Sequence, residues 1–359
     1  MKLLGRQRLS VHGSLRWSIL FLGIVLAASA SAQQQPQSPS HPVDGDIPVM
    51  RVTSQYVMLD VLVGSKKSGN PIGDLEAKDF VIEEDGKPQA VTYCSHDRLP
   101  LSVVFLFDLT ESVQPILKPL AEGALEVLGH LKPQDQVSIM VFSSHTEVLQ
   151  DFTTDHALAA AAIGKASEMK SKEGTFIHED MYEAVEQALK ATPADSRRVM
   201  VWLTDGTANF TNAATRKMVG KEAPRRLHTK TEAMDSLMHS GVVVAALIDR
   251  SAMTDTIVFA ADLNPLTMMF GARLGDINRY ADITGGPVLK TTKKEIAAKL
   301  GQLIDELRSR YTIGYKPSDQ KPAGTFSKVR VTLSPEVYKA RTDLRKPEVF
   351  VRSRSGYYR

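Results

Sequence analysis

An internal disulfide is excluded for this chain of 359 residues, because it contains a single cysteine. Cys94 has no second cysteine with which to form an internal disulfide, so the fold must be held together by packing. The segment Gln89–Cys94 is typical of a β-strand, which predicts that Cys94 is a buried small hydrophobe and not a reactive thiol. The hydrophobic share of 43% and the charged share of 24% are ordinary for a globular protein and indicate no specialised class.

The N-terminal apolar run is too short to cross a membrane. It extends over Ile19–Ala28, about half of the roughly 20 residues that a spanning helix needs. Basic residues precede it, and the small residues Ala30, Ser31 and Ala32 follow it. This layout predicts a secretory signal peptide over residues 1–32 and an exported chain, in the periplasm, at the cell surface or secreted. A retained N-terminal anchor is the alternative, and a lipid anchor is disfavoured because no cysteine follows.

An excess of charge of one sign is also lacking. The formal net charge of +3 and the pI of about 8.7 depend on the leader, which carries four basic residues and no acidic one. Removing the leader changes the charge from +3 to −1. The sequence therefore gives no reason to expect nucleic acid as a partner, and it predicts no transmembrane segment after cleavage.

Motifs of common enzyme classes are missing. No Gly-x-Gly-x-x-Gly follows the first strand of the α/β region, and no Gly-x-Ser-x-Gly is present. Asp108 weakly resembles the nucleophile of haloacid-dehalogenase-type phosphatases, but Thr110 stands where those enzymes need a second aspartate as acid and base. We therefore expect a protein that is not an enzyme, and a metal-dependent hydrolase or phosphatase is the weakest alternative.

The remaining chain divides into four segments by its pattern. Residues 33–48 are rich in Gln, Pro and Ser and predict a disordered linker. Residues 49–99 and 311–359 have strand patterns, whereas 100–310 alternate between buried strands and amphipathic helices. This alternation predicts a doubly wound α/β domain with a mostly parallel sheet. Neither β segment is large enough to be stable alone, so we expect both to pair into one small β-sandwich into which the α/β domain is inserted.

Oxygen-bearing side chains follow two of the predicted parallel strands. The strand Leu101–Phe107 leads into Asp108, Thr110 and Ser112, and the strand Val199–Leu203 leads into Asp205. Ligands of open α/β sheets bind at the carboxyl ends of the strands. Two carboxylates with several hydroxyls suit Mg²⁺, which prefers octahedral oxygen coordination. Capping of a helix is the alternative for Asp108 and Ser112, but it does not explain the recurrence at other strand ends.

This pattern resembles the metal-ion-dependent adhesion site (MIDAS) of the von Willebrand factor type A family, which is Asp-x-Ser-x-Ser, then a loop Thr, then Asp. The resemblance covers about residues 101–310 and implies a metal site formed by Asp108, Thr110, Ser112, Thr175 and Asp205. It implies Mg²⁺ as the ion, with Mn²⁺ or Ca²⁺ as substitutes. It further implies that an acidic side chain of a partner protein completes the coordination.

Two residues depart from the family pattern, and other features point to a narrower group. Thr110 replaces the first serine, and Glu173 stands where glycine is common. The strand Tyr311–Tyr315 and the terminal Gly356–Tyr358 resemble the secreted bacterial proteins called VWFA-related. No defined activity comes with that narrower group, whereas the resemblance to the von Willebrand factor type A family implies an adhesion-type, protein-binding module. A structural scaffold with a degenerate metal site is the alternative, and the sequence does not identify the partner.

His178, Glu179 and Asp180 are a further acidic and imidazole-bearing cluster, at the start of a predicted helix. Acidic residues in a first turn usually stabilise the helix dipole. We therefore interpret this cluster as a helix start and not as an acid/base or metal site.

Overall fold

The computed structural model describes residues 56–96, 99–171, 175–205, 227–249, 274–341, 344 and 348–359. The predicted leader and linker, and Glu173, lie outside these described residues. The described residues all belong to one compact unit, Thr53–Arg359.

The strands and the α-helices of the described residues are numbered separately, each in chain order. The strands are β1 (Val57–Ser65), β2 (Phe80–Glu84), β3 (Lys87–Gln89), β4 (Val91–Ser95), β5 (Leu101–Asp108), β6 (Gln136–Phe142), β7 (Thr146–Thr153), β8 (Arg197–Thr204), β9 (Val243–Asp249), β10 (Val288–Thr291), β11 (Tyr311–Tyr315), β12 (Phe326–Leu333), β13 (Val349–Ser353) and β14 (Gly356–Tyr358). The helices are α1 (Gln114–Glu122), α2 (Ala124–Leu128), α3 (His156–Glu168), α4 (Ile177–Leu189), α5 (Lys230–Ser240), α6 (Leu274–Thr284), α7 (Ile296–Arg308) and α8 (Pro335–Ala340).

A six-stranded sheet forms the centre of the α/β region, with the strand order β10-β9-β8-β5-β6-β7. Five of its strands run parallel, and β7 pairs antiparallel with β6 at one edge. Every residue of β5, β6 and β9 is buried, because helices cover both faces of the sheet. The expected mixed α/β fold with a mostly parallel sheet is confirmed.

Alternate side chains of β5 pack against the helices on opposite faces of the sheet. Val103 and Phe105 pack in an apolar cluster with residues of α1, α2, α3 and α7. Val104 and Leu106 point the other way and pack with residues of α4, α5 and α6. The sheet is thus wound with helices on both sides, and its carboxyl-terminal edge is left to the loops.

The two flanking segments join in a pair of four-stranded antiparallel sheets. One has the order β13-β1-β11-β4 and the other β14-β12-β2-β3, so both mix strands from before and after the α/β region. The inward side chains of both sheets share one apolar cluster, which includes Leu59, Ile82, Ile313 and Val331. The pairing of the two segments therefore occurs as antiparallel sheets with a common core.

Some local predictions from the sequence differ from the structure. The predicted strand Gln89–Cys94 is divided at Ala90, so β3 pairs with β2, whereas β4 joins the other sheet beside β11. Residues 113–131 have apolar side chains at helical spacing, which predicts one helix, but they form α1 and α2, which are separated at Gly123. Gly123 also permits close packing, because a Cβ there would lie 3.2 Å from the Cβ of Ala297 in α7.

Candidate metal site at the carboxyl ends of β5 and β8

Asp108 and Asp205 lie at the same edge of the central sheet. The strands β5 and β8 are parallel neighbours, with Phe107 opposite Leu203, so both strands end at the same edge of the sheet. Asp108 is the last residue of β5 and is completely buried, and Asp205 directly follows β8 and is also buried. The parallel register therefore brings together two carboxylates that are far apart in the sequence.

Hydroxyl groups surround the carboxylate of Asp108. The backbone N–H of Thr110 donates to Oδ1 at 2.9 Å, and the Thr110 hydroxyl donates to the same oxygen at 2.6 Å. The hydroxyl of Thr204, at the end of β8, donates to Oδ2 at 2.8 Å. Both carboxylate oxygens thus have short polar contacts, and Thr204 is a member of the cluster that the sequence analysis did not name.

Ser112 lies between the hydroxyl of Thr110 and the carboxylate of Asp205. Its hydroxyl donates to Oδ2 of Asp205 at 2.6 Å, and its Oγ lies 3.3 Å from Oγ1 of Thr110. Four of the five predicted site residues therefore lie side by side, as two hydrogen-bonded pairs, Thr110 with Asp108 and Ser112 with Asp205, whose hydroxyl oxygens are 3.3 Å apart.

Thr175, the fifth predicted residue, is buried in the loop before α4. The preceding part of this loop approaches the cluster, since Ser171 forms a parallel bridge with Thr110 and its N–H donates to the carbonyl of Leu109 at 3.3 Å. The role of Thr175 as a ligand stays a prediction.

The electrostatics of the cluster disfavour two negative charges when no cation is present. Burial, and next the charge of Asp205, raise the pKa of Asp108 from its usual 3.8 to about 7. The hydrogen bonds from Thr110 and Thr204 act in the opposite direction but are the smaller effects. A cation between the carboxylates would remove the repulsion that raises this pKa.

Asp180 adds a third acidic group that the sequence analysis assigned to the helix dipole. It is completely buried in the first turn of α4, and neither of its carboxylate oxygens has a hydrogen-bond partner among the described residues. Burial, followed by the charges of Asp108 and Glu179, raises its pKa well above the usual range. A signal existed in the sequence, because Asp180 shares one helical face with the apolar Ile177 and Ala184.

We expect Asp180→Asn to stabilise the metal-free protein at pH 8 by about 1–3 kcal/mol, because it removes the cost of a buried unpaired charge. Folding raises the pKa of Asp180 above its usual value of 3.8. The contribution of Asp180 to stability is therefore complete below pH 3.8 and is lost as the pH rises above that value. The gain should therefore shrink towards pH 4. Urea unfolding at both pH values measures it, with the exposed Glu186→Gln on the same helix as the control. An equal gain at both pH values would contradict the explanation.

The neighbours of Asp180 have structural partners. Glu179 is buried and accepts hydrogen bonds from the backbone N–H of His228 at 2.6 Å and from its Nδ1 at 2.9 Å. The ring of His228 also stacks on Tyr182, with the ring centroids 3.6 Å apart. His178 lies with its Nδ1 2.8 Å from the hydroxyl of Tyr280, and burial lowers its pKa. These contacts fix the start of α4 and with it the loop that carries Thr175.

The donor set of the cluster fits a hard divalent cation. It offers two carboxylates and hydroxyl groups, which are the oxygen ligands that Mg²⁺ and Ca²⁺ prefer. Histidine and cysteine do not contribute to it, and no group of three or more His, Cys, Asp or Glu side chains in the described part of the chain is arranged to hold a metal ion. The cluster is therefore a site of mixed carboxylates and hydroxyls.

The mostly parallel α/β sheet and the acidic, hydroxyl-rich cluster at its carboxyl-terminal edge lie in a region that matches a known domain family. Residues 103–207 match the family model described as von Willebrand factor type A domain. The chain therefore contains a von Willebrand factor type A domain, as the resemblance predicted. The matched span includes all five predicted site residues. No curated protein matches the chain.

Several solved structures are similar to parts of this chain at low sequence identity. The conserved hypothetical protein BatB from Bacteroides thetaiotaomicron is 15% identical, with a TM-score of 0.38 over 58% of this chain and 98% of that one. A von Willebrand factor type A structure from Catenulispora acidiphila is 11% identical, with a TM-score of 0.42 over 79% of this chain and 71% of that one. The corresponding domain of the type V pili tip protein Mfa5 from Porphyromonas gingivalis is 12% identical, with a TM-score of 0.38 over 58% and 95%.

None of the helices in the described part of the chain is long and apolar enough to cross a membrane.

Proposed function

We propose that this chain is an exported, metal-dependent protein-binding module of the adhesion type, and not an enzyme. The metal site comprises the five residues Asp108, Thr110, Ser112, Thr175 and Asp205. The observation that carries the proposal is that two buried carboxylates and the hydroxyls of Thr110 and Ser112 lie together at the carboxyl ends of β5 and β8. When bound, Mg²⁺ would supply a Lewis-acid position for a carboxylate of the partner protein.

The residues of the chain contribute charge and orientation to this site. Asp108 and Asp205 together offset the charge of a divalent ion, and the hydroxyls of Thr110 and Ser112 are oxygen donors already aligned by hydrogen bonds. Thr110 in place of serine retains the hydroxyl and its bond to Asp108, which supports a working site despite the departure from the family pattern. Thr204 holds the second oxygen of Asp108 and so orients that carboxylate.

Calorimetric titration of Mg²⁺ and Mn²⁺ into the full chain tests the metal site. We expect saturable binding that Asp108→Ala and Asp205→Ala both abolish, because each removes a charged ligand. Glu111→Gln is a matched control, since this exposed carboxylate lies in the same turn and is not a predicted ligand. Circular dichroism must show that each variant is folded. An absence of heat from the intact protein at millimolar metal would refute the proposal.

A structural scaffold is the second candidate, and one observation favours it. The carboxylates of Asp108 and Asp205 already accept hydrogen bonds from Thr110, Thr204 and Ser112, so the cluster can connect β5 and β8 without an ion. A scaffold role predicts that Asp205→Ala lowers the stability of the protein but that metal does not change it. The same calorimetric titration separates the two functions.

Export and the β-sandwich belong to the proposal as well. The basic leader, the short apolar run and the small residues before Gln33 support cleavage after residue 32. The shared apolar core of the two antiparallel sheets supports a sandwich built from both flanking segments. Expression of the full chain with its leader in a bacterium, followed by mass determination of the exported product, tests cleavage at this place.

A further inference from the structure

A groove of about 780 Å³ lies between the two antiparallel sheets and the end of α6. One wall is formed by Val329–Leu333 of β12. The others are formed by Val349 and Val351–Ser355, which belong to β13 and the two residues after it, and by Gly285 and Gly286, which follow α6. Gly286 packs against the backbone of Val244, near the amino end of β9. The groove therefore lies at the amino-terminal edge of the central sheet, opposite the candidate metal site.

Three arginines line this groove, and none of them forms an ion pair with another described residue. Arg330 stands opposite Glu83 in the β12–β2 pairing, and Glu83 also lines the groove, so a negative charge lies near it. Arg352 lies over the ring of Phe350, with Cζ 5.0 Å from the ring centroid. Arg354 donates from Nη2 to the carbonyl of Met238 at 2.6 Å, and its buried Nε has no partner among the described residues.

A fourth arginine adds positive charge behind the wall. Arg310 is completely buried and donates from Nη2 to the carbonyl of Gly285, a wall residue, at 2.9 Å. Its Nε and Nη1 have no hydrogen-bond partner in the described part of the chain. Burial lowers the pKa of Arg310 to about 10, so it remains charged at neutral pH.

The nearby carboxylates do not balance these arginines. Asp60 is paired with Nε of Arg197 at 3.0 Å. Burial raises the pKa of Glu306, which disfavours its negative charge beside Arg352 and Arg310. Asp282 lines the groove but is exposed to solvent. The end of the groove at Arg352 and Arg354 therefore carries a positive charge that a ligand could neutralise.

We propose that this groove binds a small organic anion, whose carboxylate or phosphate group is held by Arg352 and Arg354. The planar guanidinium group matches both oxyanions with two parallel hydrogen bonds. The volume of about 780 Å³ lies within the range of small-molecule sites, which also occur preferentially between domains. The site does not depend on the proposed metal, because the two lie at opposite edges of the central sheet.

Titration of citrate and of inorganic phosphate into the full chain tests the groove, one probe for each oxyanion. Protein and buffer are freed of metal on a chelating resin, so that no anion binds through an ion at Asp108 and Asp205. Ionic strength is kept constant with sodium chloride. We expect saturable heat and a rise in Tm with at least one probe, and the stronger probe identifies the preferred oxyanion.

Arg352→Gln is the primary variant, because the side chain of Arg352 forms no hydrogen bond with another described residue whose loss would weaken the fold. It should lower the affinity about tenfold or more, as expected for the loss of a charge-assisted hydrogen bond. Arg352→Lys should recover only part of the affinity, since lysine keeps the charge but not the fork. Arg279→Gln, an exposed charge change on α6, should bind as the unchanged protein does. The proposal is overturned if neither citrate nor phosphate binds saturably. It is also overturned if Arg352→Gln leaves the affinity for the bound probe unchanged.

Discussion

Gly286→Ala will destabilise the chain by about 3 kcal/mol or more, at the upper end of the cost of overpacking a core. A Cβ at position 286 would lie 1.8 Å from the carbonyl oxygen of Val244 and 2.6 Å from its carbonyl carbon. Both contacts are with the backbone of β9, which is a buried inner strand and cannot move aside like a flexible side chain. The free energy of unfolding from urea titration measures the loss.

Gly164→Ala is the matched control for this prediction. Gly164 lies within α3, and a Cβ there would meet nothing within 4 Å. Alanine is favoured over glycine inside a helix by about 1 kcal/mol, so this variant should be slightly more stable than the parent. Similar losses for the two variants would show that close packing against β9 does not explain the requirement for glycine at position 286.

The central sheet could be predicted because its strands leave a strong signal. The runs in β5 and β9 are almost wholly apolar, and strands buried on both faces need no polar alternation. By contrast, β7 has only half-buried and exposed residues at the edge of the sheet. Its sequence, Thr146–Thr153, therefore lacks a clear pattern, and the sequence analysis did not predict it.

The exchange of partners at Ala90 could not be read from the sequence. An Asp-Gly turn predicts a hairpin, and β2 and β3 do form one across Asp85 and Gly86. Which sheet the following residues join depends on β11, more than 200 residues later in the chain. Local turn chemistry determines the first pairing, whereas tertiary packing determines the second.

The candidate site could be predicted to the extent that strand ends determine it. Asp108, Thr110, Ser112 and Asp205 follow two parallel strands, so the topology itself brings them to one edge. Asp180 was assigned to the helix dipole because its burial depends on how α4 packs against the sheet. The arginine-lined groove left no sequence signal, since Arg310, Arg352 and Arg354 come together only when both terminal segments pair.

Asp108→Asn will separate the effect of this carboxylate on stability from its effect on metal binding. Folding raises the pKa of Asp108 from 3.8 to about 7, a rise that corresponds to roughly 4 kcal/mol. The stabilising contribution of this group is therefore complete below about pH 4 and is lost as the pH rises through 7. In metal-free buffer at pH 8, the asparagine variant should be more stable than the parent by up to about 4 kcal/mol, and the two should converge near pH 4.

Mg²⁺ should stabilise the parent protein but not the asparagine variant if Asp108 is a ligand. A bound ion stabilises the folded state in proportion to the logarithm of its concentration over Kd, and it compensates for the ionised carboxylates of Asp108 and Asp205. The parent protein should therefore gain stability from Mg²⁺ at pH 8, whereas the asparagine variant, which lacks the charged ligand, should gain none. Urea unfolding of both proteins with and without Mg²⁺ gives the four values required. An equal gain from Mg²⁺ in both proteins would mean that the ion binds elsewhere. Equal stability of both proteins in metal-free buffer at pH 8 would mean that burial does not raise the pKa of Asp108.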